Sequence, residues 1–191
     1  MYRLIIFYHW YVWEVVLGRL ILCYSIIAAL GSPAFSGVPP AFVPVKGFSL
    51  ERYLGSWYEI ARMPVSFEKD LSKVTATYVL RKDGKVDVIN QGYKTTKNNK
   101  KQVAKGKAKF AASADIGHLR VSFFGPFYAD YIVLALDENY SYAMVTSNSN
   151  KYLWILSRTP KLDQTILDGL LAKAKELGFD VEKLIMVKQE S

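Results

Sequence analysis

The chain has 191 residues, half of them hydrophobic and 14% aromatic, and a formal net charge of +8. That length suits one domain behind a leader, and the apolar share allows a substantial core. A single cysteine excludes a disulfide framework, and the basic balance favours nucleic acid, anionic lipid or anionic ligands without choosing among them.

Residues 1–34 form a segment apart. Leu4–Trp13 and Leu20–Leu30 are apolar runs split by Glu14 and Arg19. Each falls short of the ~20 residues that span a bilayer. The second run reads as the apolar region of an export signal: Arg19 precedes it and "GSPAFSG" follows. Small residues at Ser32 and Ala34, or at Ala34 and Ser36, suit signal peptidase; residues 1–14 then read as an upstream extension. An uncleaved membrane anchor is the alternative. Cys23 invites a lipoprotein reading, but Leu22 stands where lipidation wants Gly, Ala or Ser. Cys23 is therefore read as part of the discarded leader, which leaves no thiol chemistry in the mature domain.

Residues 35–47, with Pro39, Pro40 and Pro44, read as an extended linker, and a domain follows over 48–191. Short segments rich in β-branched and aromatic residues recur there, at about 56–64, 73–81, 85–93, 103–112, 118–124, 131–137, 141–147 and 151–158. "KDG", "TKNNKK", "SADIG", "GPFYAD", "DENY" and "SNSN" separate them. Eight consecutive strands with short links predict an all-β, antiparallel up-and-down barrel, whose closure removes exposed edges. A barrel of this size can hold one small ligand. One helix follows, capped by Asp163, ended by Gly178, and striped by Ile166, Leu170, Ala174 and Leu177. That stripe is expected to pack outside the barrel. "KLIMVKQ" (183–189) reads as a ninth strand.

In such a barrel the start of the first strand lies beside the end of the eighth. Trp57 and Arg158 therefore meet at one end, where a guanidinium stacks well on an indole face. With Gly55, whose small size lets the chain cross close beneath the barrel, they form a floor. Gly55-Ser56-Trp57, Arg158 and the late helix together resemble the lipocalin family over about residues 48–189. The family's second motif, Thr-Asp-Tyr, falls on Glu138-Asn139-Tyr140, which keeps only the tyrosine. "RYLGSWYEIARMP", "FFGPFY" and "YLWILSRTP" are similar to bacterial outer-membrane lipocalins, apolipoprotein D and plant temperature-induced lipocalins. The resemblance implies a cup for fatty acids, lysophospholipids or other membrane-derived apolar molecules. It implies no cofactor.

If Trp57 marks the floor, the mouth holds the links near 65–72, 94–102, 124–130 and 148–150. Phe67, Phe124, Phe127 and Tyr128 would give it an apolar lip, and Lys97, Lys100 and Lys101 a cationic rim, which together suit an amphiphile. The strand lysines Lys105, Lys107 and Lys109 simply alternate along a solvated face. By parity Ala61, Met63 and Trp154 point into the cup, joined by Tyr78, Val88, Val121 and Phe123. Glu59 shares that face and needs a partner that the sequence does not name. His118 is expected at the surface.

The leading expectation is a non-catalytic lipid-binding protein, exported to the periplasm or outer membrane, as a monomer or homodimer. A lipid-modifying enzyme on the same barrel is one alternative, although no cluster with metal spacing appears. A mouth that meets a membrane surface or a second subunit is another. Nucleic acid is set aside because of the export leader.

Overall fold

The computed structural model describes residues 42–189; the leader and Cys23 lie outside them. Nine strands follow in order: β1 Gly55–Arg62, β2 Leu71–Leu80, β3 Val86–Lys94, β4 Lys100–Phe110, β5 His118–Phe124, β6 Phe127–Leu136, β7 Tyr142–Thr146, β8 Leu153–Ser157 and β9 Ile185–Met186. A short helix α1, Leu50–Tyr53, precedes β1, and α2, Gln164–Glu176, follows β8. β1 to β8 pair antiparallel with their sequence neighbours, and β1 closes the ring by pairing with β8 on one side and β2 on the other. The chain thus forms the expected eight-stranded barrel.

The floor is built as the motif residues require. Trp57 is fully buried, and the Arg158 guanidinium lies 3.9 Å from the centre of its ring. Arg158 also donates hydrogen bonds to four carbonyls, those of Arg52, Tyr53, Ser56 and Tyr140. One side chain therefore ties α1, β1 and the β6–β7 turn together. The Trp57 indole N–H donates to the Tyr53 carbonyl at 2.9 Å. Gly55 sits at φ +90°, in the left-handed region that a side chain resists. That backbone conformation, rather than the bulk of a crossing chain, is what calls for glycine here.

The β6–β7 turn keeps its hydrogen bonds despite the altered motif. Asp137, one residue upstream of Glu138, accepts from the Asn139 and Ser141 amides and from the Ser141 hydroxyl. Tyr140 is buried, and its hydroxyl accepts from the Ser49 amide at 2.8 Å.

Two corrections concern β1. A bulge between Glu59 and Ala61 shifts its register against β8. Beyond it the alternation reverses, so Ala61 and Met63 pack outside the barrel with Ile155, Leu167 and Leu170 rather than in the cup. Arg62 takes the inner side beside Glu59. β1 also pairs with β2 only over Gly55–Tyr58. The tail fills the gap above: β9 pairs with Ala61 and Arg62, and the Gln189 amide donates to the carbonyls of both Glu59 and Val74. The expected ninth strand is therefore only Ile185–Met186, held in place largely by tail residues outside its ladder.

Helix α2 starts at the Asp163 cap, whose carboxylate accepts from the Thr165 and Ile166 amides. Leu167, Leu170 and Ala174 are its buried residues, and they pack on the outer faces of β6–β8. Gly178 follows its end at φ +84°. His118 is buried, not at the surface; its Nε2 lies 2.9 Å from Asp130. The incoming segment bonds beside it, Gly117 and Val133 both pairing with Val45, and such a cover is invisible to local sequence.

Candidate ligand site

The cup follows from register. Residues directly opposite on paired strands share a face. Trp57 opposes Ala76, Tyr78 opposes Val88, Val88 opposes Gly106, and Ala108 opposes Val121. Tyr78 and Val88 are buried in one cluster with Trp57, while Val121, Phe123 and Trp154 are half-buried against it. Gly106 has a reason here: a Cβ would lie 2.7 Å from the Ser122 carbonyl and 2.9 Å from the Phe123 ring. Its absence lets that ring cross the lumen wall. Low in the cup, the Tyr131 hydroxyl lies 2.7 Å from both the Tyr53 and the Tyr78 hydroxyls. Burial pushes all three phenols up from their ordinary value, so they stay neutral donors.

The same register identifies the open end. Gln102 and Ala104 oppose Gly92 and Asn90, and Ala129 opposes Val121, so all three hold inner-face positions. All three are exposed. Each lies toward the end of its strand opposite to Trp57. The barrel is therefore sealed below and accessible to solvent above.

Near that opening sits a charged cluster that sequence parity missed. Arg62 Nη1 donates to Glu59 at 2.7 Å, and Nη2 donates to the carbonyls of Glu68 at 2.7 Å and Leu71 at 3.3 Å. Glu68 belongs to a 3-10 turn, Ser66–Glu68, in the β1–β2 link, and its carboxylate accepts from the Trp154 indole at 3.1 Å. All three charged residues are buried. Arg62, the last residue of β1, thus pins the downstream end of the link to the barrel wall. Two carboxylates face one guanidinium. Burial, reinforced by the Glu68 charge, lifts the Glu59 carboxyl from 4.5 to about 8, and burial raises Glu68 as well. At neutral pH the cluster keeps a proton and avoids a net buried charge. The spacing Glu59-x-x-Arg62 holds the pair only because the bulge after Glu59 turns Arg62 to the inner face that Glu59 already occupies.

The mouth residues separate into two groups. Phe67, on the β1–β2 link, and Phe124 and Phe127, flanking the β5–β6 turn, are 67%, 83% and 78% exposed. Tyr128 does not join them. It lies within β6, paired toward the outer face, with the Lys109 ammonium 4.9 Å from its ring centre. The expected loop over 124–130 shrinks to a two-residue turn because the strand begins at Phe127. Lys97 closes a 3-10 turn, Thr95–Lys97, and is exposed; Lys101 is exposed on β4, opposite Tyr93. Among the described residues no group of His, Cys, Asp and Glu could hold a metal ion.

Comparison with known proteins matches this geometry. A model of the lipocalin-like domain family matches residues 48–189. Outer membrane lipoprotein Blc of Vibrio cholerae serotype O1 is 50% identical over 155 residues, covering 81% of this chain and 90% of the relative. Temperature-induced lipocalin-1 of Arabidopsis thaliana is 39% identical over 149 residues, covering 73% and 78%. Insecticyanin from the tobacco hornworm Manduca sexta superposes with a TM-score of 0.66 at 25% identity, covering 81% of this chain and 87% of that one.

Proposed function

This chain belongs to the lipocalin-like family, and from that premise we propose that it binds a small amphiphilic lipid, a fatty acid or lysophospholipid, inside its barrel. The observation that carries this reading is the one-ended cup: Trp57 and Arg158 seal the floor, while inner positions such as Ala104 and Ala129 stand open to solvent. The acyl chain lies along Tyr78, Val88, Phe123 and Trp154. An apolar wall with few polar groups suits such a chain, and burial of its methylenes supplies the affinity. The anionic head stays at the entrance, near Lys97 and Lys101. Ala61 and Met63 take no part, since they face α2. Turnover forms no part of the reading.

The relatives named outer membrane lipoprotein place this protein, by analogy, in the cell envelope and associated with the outer membrane. The test is a fluorescence titration with a long-chain fatty acid and a lysophospholipid. A saturable change in tryptophan emission is expected, and Trp154→Phe should remove most of it. No saturable response to either ligand would sink the proposal.

A further inference from the structure

We propose that the mouth of the barrel docks onto an anionic lipid bilayer, with Phe67, Phe124 and Phe127 entering the interfacial layer. These three rings come from two links at the same end of the barrel, and each is at least two-thirds exposed. Each exposes a large apolar surface to water. Exposed rings gathered at one end of a domain otherwise well packed mark a contact surface.

Charge decides the partner. The four links at this end, residues 63–70, 95–99, 125–126 and 147–152, contain Lys69, Lys97 and Lys151, all exposed, and Lys100 and Lys101 begin the next strand beside them. The same links contain two acids. Glu68 is buried against Arg62 and Trp154, and Asp70 faces Lys94 at 3.9 Å. The rim is therefore cationic with little local compensation. A second copy would set two such rims against each other, which like charges oppose. Lipid phosphates complement the lysines while the acyl layer accepts the rings. Docked this way, the open end of the cup faces the bilayer. The docking itself needs no lipid in the cup, so it stands or falls apart from the ligand proposal.

The test is co-flotation of the full chain with phosphatidylcholine vesicles, with and without phosphatidylglycerol. The apolar leader contributes equally to every variant and so cancels in the comparison. Partitioning should favour the vesicles with phosphatidylglycerol and weaken as salt is raised. The triple variant Phe67→Ser, Phe124→Ser and Phe127→Ser should lower it about tenfold or more, as should Lys97→Glu with Lys100→Glu and Lys101→Glu. All six side chains are exposed, so the fold should survive, with far-UV circular dichroism as the control. Partitioning unchanged in both variants overturns the proposal. So does a phenylalanine variant that changes the oligomeric mass and leaves vesicle binding intact, because the patch would then join copies of the chain.

Discussion

Replacing Glu59 by glutamine tests whether the buried cluster holds a proton. In the folded protein the Glu59 carboxyl is raised to about 8, first by burial and then by the Glu68 charge; its ordinary value is 4.5. The folded state therefore keeps a proton that the unfolded chain releases. This group's contribution to stability is complete below about pH 4.5 and is lost as the pH rises toward 8. A single proton limits the slope to ~1.4 kcal/mol per pH unit, so two units inside that window are worth about 3 kcal/mol at most. Glutamine resembles the protonated carboxyl and can still accept from Arg62. Urea unfolding of both proteins, followed by far-UV circular dichroism between roughly pH 5.5 and 7.5, should show the wild type losing stability faster. Glu68 is also raised and should leave the variant a residual slope of the same sign. Parallel curves for the two proteins would refute the reasoning.

Two further substitutions address the floor. Trp57→Ala removes a fully buried indole and the surface on which Arg158 stacks, and should cost ~3–5 kcal/mol in urea unfolding. Unchanged stability would mean that the floor is misplaced. Gly55→Ala forces a side chain to φ +90° and should cost ~1–2 kcal/mol even though a Cβ would come no closer than 3.4 Å to Arg158. A melting temperature equal to that of the wild type would refute the conformational argument.

Much of the architecture is legible along the chain because a barrel strand obeys a local rule. Alternating apolar and polar residues between turn-forming clusters identify the strands, and a meander of eight has few ways to close. Gly55, Trp57 and Arg158 could be placed together from that closure alone, a hundred residues apart in sequence. Tyr78 and Val88 face the lumen because nothing interrupts the pairing of β2 with β3 at those positions, and Trp154 keeps a regular ladder with β7.

The misreadings share one cause. Parity carries only as far as the strand stays regular, and the bulge at Glu59–Ala61 moved Ala61 and Met63 beneath α2 and turned Arg62 inward. The Glu68 partner lies across a loop, and no periodicity predicts where a loop folds back. Asp137 replaces a motif acid from two positions earlier through bonds to Asn139 and Ser141, a swap the motif does not show, and His118 is buried beside a distant segment that the fold brings in. By itself the sequence determined the barrel, its sealed end and the apolar character of its cup, since these follow from side-chain order along single strands. Only the tertiary structure decided which charges meet at the mouth and that Tyr128, set against Lys109, leaves the lip to the three phenylalanines. Those outcomes depend on where strands, loop and tail converge, and burial then makes an unpaired charge too costly to keep.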